Sequence, residues 1–143
     1  EARLIVAELT PGHLQSRTLV EALGRLVSAL NAESHLASEL TVEGEPVPLG
    51  GAAEVVLLRT AQEALANVRR HSGADHCSVT LDYQEPTSVV LTVRDDGRGF
   101  DKEELRNGFG LDGLGARAAE VGGSLRLTSA PGDGTRVMVE VPR

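Results

Sequence analysis

The 143-residue chain, 41% hydrophobic and 24% charged, has the balance of one globular domain large enough to bury its own core. Its net charge of −7 excludes a basic nucleic-acid surface, and its single cysteine, Cys77, excludes a disulfide framework or a cysteine-based metal cluster. No apolar run approaches the roughly 18 residues that a membrane-spanning helix requires.

Residues 1–10 read as helix-like but too short to stand alone, and Pro11-Gly12 ends them. The next helix is predicted from Leu14 to Asn31, with Leu19, Leu23, Leu26, Val27 and Leu30 on one stripe. Leu36, Ser38, Leu40 and Val42 alternate weakly and predict an edge strand closed by Glu43-Gly44-Glu45-Pro46. A long helix follows over about Ala52–His71, between Gly50-Gly51 and Ser72-Gly73. Its apolar stripe is read as Leu58, Ala61, Leu65 and Val68, which puts Glu63, Asn67, Arg70 and His71 roughly opposite. Taken alone, that polar face fits a solvated surface as well as one wall of a site.

Two strands come next, separated by a turn at Gln84-Glu85-Pro86. In the first, Cys77, Val79, Leu81 and Tyr83 share a face, which makes Cys77 a small core residue. In the second, Val89, Leu91 and Val93 face inward, and the same parity carries Asp95 to the core side. Burying a carboxylate without partners is costly, so its placement calls for a reason. Asp95-Asp96-Gly97-Arg98-Gly99-Phe100 is an irregular turn, and a polar segment leads to Gly108-Phe109-Gly110-Leu111-Asp112-Gly113. A helix over about Leu114–Val121 ends at Gly122-Gly123. Strands Ser124–Ser129 and Thr135–Val141 then flank a turn at Pro131-Gly132-Asp133-Gly134, with Val137, Val139, Val141 and Thr135 on one parity. Helices first, an antiparallel pair, then helix and hairpin predict an α+β domain with helices on one face of a sheet.

Two further stretches carry chemistry. Asp95-x-Gly97-x-Gly99 combines a core-facing carboxylate, able to accept a hydrogen bond from an amino group, with glycines against which a flat ring can pack. Gly108-x-Gly110-x-x-Gly113 has the spacing of a dinucleotide fingerprint. It lacks the preceding strand and the βαβ unit that such a fingerprint requires, yet glycines before a helix N-terminus still let backbone N–H groups approach phosphate. Of fourteen basic residues only Lys102 is a lysine, and its context rules out a Walker-type phosphate loop. With two Phe, one Tyr and no Trp, a base-stacking platform is also poorly supplied.

In this order and spacing, nearly the whole chain resembles the ATP-binding (HATPase_c) domain of sensor histidine kinases. That domain belongs to the GHKL superfamily of gyrase, heat-shock-chaperone, histidine-kinase and mismatch-repair ATPases. Glu63-x-x-x-Asn67-x-x-Arg70-His71 looks like the N box, and Asp95-x-Gly97-x-Gly99 like the first glycine box. Gly108-x-Gly110-Leu111 looks like the second glycine box, and Gly134-Thr135 like the closing Gly-Thr element. Gln-Glu-Ala-Leu-x-Asn-x-x-Arg-His-Ser and Gly-x-Gly-Leu-x-Gly-Leu-x-x-Arg are most similar to the subfamily paired with nitrate/LuxR-type response regulators.

The resemblance implies a two-layer α/β sandwich of the Bergerat type, with a mixed, mainly antiparallel sheet. It implies ATP and Mg²⁺ as ligands, with Asn67 as the metal ligand and Glu63 as catalytic base or polariser. Arg70, standing where many relatives carry lysine, and His71 would contact phosphate. Asp95 would read the adenine amino group with Thr135 beside it, while Gly97, Gly99, Gly108, Gly110 and Leu111 would shape the pocket. A short lid would run over Phe100–Asn107. Residues 1–12 would end a dimerisation helix and 13–143 form the catalytic domain.

His13, His35 and His76 are followed by Leu14, Leu36 and Cys77 rather than by an acid, so none looks like a phosphoacceptor. The implied activity is protein-histidine kinase, acting on a separate dimerisation domain and then serving a response regulator. The fragment is expected to be a cytoplasmic monomer unable to autophosphorylate alone. Its parent would be a homodimer whose membrane anchoring the sequence leaves open. Two alternatives remain at this point: an anti-sigma-factor-type serine kinase of the same fold, and a degenerate docking module.

Overall fold

In the computed structural model, described over residues 13–99 and 112–143 (side chains from residue 19 onward, apart from 71, 72 and 112), the alternating segments assemble into one five-stranded sheet. The elements in chain order are α1 (His13–Glu33), β1 (Ala37–Glu43), α2 (Gly51–Asn67), a π turn (Val68–Ser72), β2 (His76–Asp82), β3 (Ser88–Asp95), α3 (Asp112–Glu120), β4 (Ser124–Ser129) and β5 (Thr135–Pro142). The spatial order is β1-β2-β3-β5-β4. β1 runs parallel to β2, and every other pairing is antiparallel. The predicted helix-like segment at 1–10, the lid at 100–107 and the run Gly108–Leu111 lie outside the described residues.

Period-two alternation puts Val79 and Leu81 of β2, Val89, Leu91 and Val93 of β3, and Val137, Val139 and Val141 of β5 on the face that the helices cover. Leu23 of α1 and Leu57 of α2 reach zero exposure against them. Each such side chain contributes about 1.5–3 kcal/mol by leaving water, so the sheet and the helix layer stabilise each other. The result is the two-layer α/β sandwich expected, with the mixed, mainly antiparallel sheet. No helix among the described residues is long and apolar enough to cross a membrane.

β1 is an edge strand, and its outer side is occupied. The Asn31 carboxamide donates to the Ser38 carbonyl at 3.0 Å and accepts the Ser38 N–H at 2.7 Å. One side chain thus takes the place a further strand would have, which blunts an otherwise open edge.

Two features of α2 depart from the expected helix. The buried arc comprises Ala53, Val56, Leu57, Thr60, Ala61, Ala64, Leu65, Asn67 and Val68, about half of the circumference. Leu58, read as part of the stripe, is only partly buried, and Asn67, read as lying opposite it, is 6% exposed. Small residues cause the shift: Ala53, Thr60 and Ala64 let the helix lie close on the sheet, and Asn67 sits directly below Thr60, seven residues on. The last turn, expected to be α-helical to His71, widens into a π turn over Val68–Ser72 and stops at Gly73 in the left-handed region, φ 64°.

Candidate functional site

Two groups of candidate residues stand at the same end of the sandwich. The first is at the C-terminal end of α2. Arg70 Nη2 donates to Asn67 Oδ1 at 3.3 Å and lies 3.5 Å from Glu63 Oε2, so a carboxamide and a carboxylate oxygen converge on one guanidinium nitrogen. Glu63 and Arg70 keep 34% and 52% of their side-chain surface exposed. An exposed ion pair of this kind is worth about 0–1 kcal/mol, which leaves the guanidinium free to turn toward another anion at little cost. His71 lies in the π turn, with its side chain outside those described.

The second group is at the ends of β3 and β5. Pairing register sets Ser38, Cys77, Asp95, Thr135 and Ser129 in one row across the sheet, all on the helix-covered face. Asp95 is 6% exposed, as its parity predicted. Its Oδ1 accepts the Gly97 N–H at 2.8 Å. Burial pushes the Asp95 carboxyl above the usual carboxylate range and outweighs the backbone N–H groups of Gly97 and Thr135, which pull it down, while neighbouring Asp96 adds to the rise. Thr135 is buried beside it, with Oγ1 3.0 Å from the Ser129 hydroxyl, which also donates to the Gly134 carbonyl at 2.9 Å. Cys77, beside Asp95 on β2, is a buried core thiol whose pKa burial raises to about 12, with Asp95 and Asp96 adding to the shift.

Two glycines let this end close. Gly99, φ 72°, lies so near the β4–β5 turn that an added Cβ would fall 2.0 Å from the Ala130 carbonyl oxygen. At Gly134, φ 73°, it would fall 2.2 Å from the Asp95 carbonyl oxygen. The neighbouring Gly132 N–H donates to the Arg98 carbonyl at 2.6 Å, so the turn after Asp95 is tied to the final hairpin. Gly97 contributes its N–H to Asp95, while Gly108, Gly110 and Leu111 lie outside the described residues.

Sequence reasoning passed over two members of this end. Ser129 shares the parity of Leu125 and Leu127, a signal that was available on β4. Asp96 carries no such signal, because Asp-Gly is common in any turn. A groove of about 560 Å³, lined by Asp95, Asp96, Cys77, His76, Arg94 and Asp133 among others, opens at this end of the sheet, and neither Asn67 nor Arg70 lines it.

Comparison with known proteins finds the family described as histidine kinase-, DNA gyrase B-, and HSP90-like ATPase matched over residues 52–143. The chain is 30% identical over 143 residues to the signal transduction histidine-protein kinase/phosphatase DegS of Brevibacillus brevis, covering 99% of this chain and 37% of that protein. It is 37% identical over 123 residues to the sensor histidine kinase LnrJ of Bacillus subtilis (86% and 30%), and 32% identical over 143 residues to the sensor protein VraS of Staphylococcus aureus (99% and 40%). The chain therefore spans between 30% and 40% of the length of these curated relatives. Among solved structures, the histidine kinase domain of the Erythrobacter litoralis blue-light activated histidine kinase superposes with a TM-score of 0.65 at 26% identity, covering 84% of this chain and 58% of that one. The mycobacterial sensor histidine kinase MprB superposes at 0.66 and 23% identity, covering 86% and 93%, a likeness of fold.

Proposed function

Because the chain belongs to the histidine kinase-, DNA gyrase B- and HSP90-like ATPase family, we propose that it binds Mg·ATP between the end of α2 and the ends of β3 and β5. The observation that carries this reading is Asp95, a carboxylate buried at a strand end among glycines and backbone donors. Such a group is costly to the fold and repays its burial by accepting the adenine amino group. Thr135 stands in register beside it as a second polar contact to the base.

At the other wall, Asn67 offers a neutral oxygen of the hard kind that suits Mg²⁺, and Arg70 holds it beside the Glu63 carboxylate. Asn67 is the metal ligand in this reading. When bound, Mg²⁺ neutralises charge on the phosphate oxygens. Arg70 leaves its weak pair with Glu63 to contact phosphate, with His71 beside it, and Glu63 accepts a proton or holds a water near the attacking group. Gly97 and Gly99 shape the base side, and Gly108, Gly110 and Leu111 the phosphate side.

In the longer protein, the domain transfers the γ-phosphoryl group to a histidine on a dimerisation domain, mainly by positioning and charge neutralisation. Residues 1–12 form the end of that dimerisation helix and residues 13–143 the catalytic domain. The parent is a homodimer that passes the phosphoryl group to a response regulator. The run Gln62–Ser72 supports the subfamily paired with nitrate/LuxR-type regulators. The names of the relatives, all sensors or histidine kinases, support the histidine over the serine acceptor.

Calorimetric titration of the chain with ATP, in Mg²⁺ and in EDTA, tests the site. Wild type should bind more tightly with Mg²⁺, and Asn67→Ala should erase that difference. A difference that survives in Asn67→Ala removes Asn67 as the ligand, and a chain that takes up no ATP under either condition removes the reading.

A further inference from the structure

The two walls of the proposed site are joined by a residue that belongs to neither. Asp96 Oδ1 accepts the backbone N–H groups of Asp75 and His76, each at 3.0 Å, and Oδ2 accepts the Nδ1–H of His76 at 3.0 Å. Its own N–H donates to the His76 carbonyl at 3.2 Å. These donors hold the carboxyl below the usual range although its surface is open to water, so it is an ionised acceptor at neutral pH.

The position of the donors matters more than their number. Asp75 immediately precedes β2 and His76 opens it, just after the π turn and left-handed Gly73 that end the Asn67 helix. Asp95, on the other side, directs Oδ1 onto the Gly97 N–H, so the orientation of its carboxylate follows the backbone angles at 95–97. The Asp75 carbonyl also accepts the Ala37 N–H at 2.9 Å, which anchors the far end of the connection on β1. Asp96, the residue that follows Asp95, is therefore a strut between the β3 terminus and the exit of α2.

We infer that Asp96 is a positioning residue for base recognition: by tying the loop that leaves α2 to the β3 terminus, it aims the Asp95 carboxylate and so sets the preference for adenine over guanine. This rests on the assignment of Asp95 to the adenine amino group. A carboxylate attracts that amino group and repels the carbonyl oxygen that guanine carries at the same ring position. Discrimination then depends on alignment, because both the attraction and the repulsion fall off steeply with angle. A purely structural loss would weaken both nucleotides alike, whereas a misaligned Asp95 narrows the ratio between them.

The test is titration of the chain with Mg·ATP and with Mg·GTP, comparing wild type with Asp96→Ala, Asp96→Asn, Asp96→Glu and Asp95→Asn. Asp96→Ala should raise the Kd for ATP by about tenfold and narrow the ATP:GTP ratio by a similar factor. Asp96→Asn keeps an oxygen for both backbone N–H groups and should stay within about threefold of wild type. Asp96→Glu keeps the charge but moves the acceptor by one methylene, and should narrow the ratio even if the alanine variant does not fold. Retention of the wild-type ratio in Asp96→Ala, or in Asp96→Glu where only that variant folds, overturns the strut if Asp95→Asn collapses the ratio. If Asp95→Asn also keeps the ratio, the adenine reading itself fails and takes the strut with it.

Discussion

Gly134→Ala, set beside Gly132→Ala, separates two reasons for a glycine in a turn. Both residues sit in the β4–β5 turn with positive φ, 73° and 84°. An alanine at either carries left-handed strain of about 1–2 kcal/mol. At Gly132 the new Cβ meets nothing within 4 Å, so strain is the whole cost. At Gly134 it would lie 2.2 Å from the Asp95 carbonyl oxygen, 3.2 Å from its carbon and 3.4 Å from the Asp96 Cα. These are backbone atoms in a paired strand, and the hairpin would have to retreat by roughly 1 Å, an overpacking cost of about 1–3 kcal/mol. The expected losses are about 2–5 kcal/mol for Gly134→Ala and about 1–2 for Gly132→Ala. For a domain of this size the first corresponds to a fall in Tm of about 6–15 °C and the second to about 3–6 °C. Thermal unfolding gives both numbers, and ATP titration of the folded variants adds the functional one: affinity falls only in Gly134→Ala, where Asp95 is displaced. Equal Tm losses in the two variants would refute the steric reasoning, and wild-type ATP affinity in Gly134→Ala would detach the turn from the site.

Asp95→Asn should stabilise the fold while weakening ATP binding. Because the folded pKa of Asp95 is raised, its contribution to stability is fully present below the unfolded pKa, near 3.8, and is lost as pH rises through the folded value. The advantage of the asparagine variant in urea unfolding should therefore be greatest at pH 7 and shrink toward pH 4; an asparagine variant less stable than wild type at pH 7 contradicts this sign. Asn31→Ala should uncover the peptide groups of Ser38 on the edge of β1, costing about 1–2 kcal/mol and producing concentration-dependent association in sedimentation. A strictly monomeric variant would show that the edge needs no guard. The Cys77 thiol, with its pKa pushed up to about 12, should react with a thiol reagent only on unfolding, and rapid labelling of the native chain at pH 7 would show that β2 opens locally.

The strands were legible because alternation is local: each residue's face follows from its neighbour's, and a single parity carried Asp95 and Thr135 to the covered side along with the valines. The composition of the long helix was a weaker guide. Leucines marked a stripe, but the contact was set by Ala53, Thr60 and Ala64, whose small size matters only when a sheet lies against them, and so Asn67 is buried rather than solvated. The π turn at Val68–Ser72 likewise has no periodicity of its own to betray it.

By itself, then, the sequence determined which residues face inward on each strand, where the described helices begin and end to within a few positions, and the order of the motifs. These are properties of short stretches, decided by backbone geometry and hydrophobic period. Only the tertiary structure decided that β1 lies parallel to β2, that β5 lies between β3 and β4, and that Asp96 reaches back to Asp75 and His76. Those are contacts between segments distant along the chain. They form because the whole helix layer must cover the whole sheet, a condition that no single stretch contains.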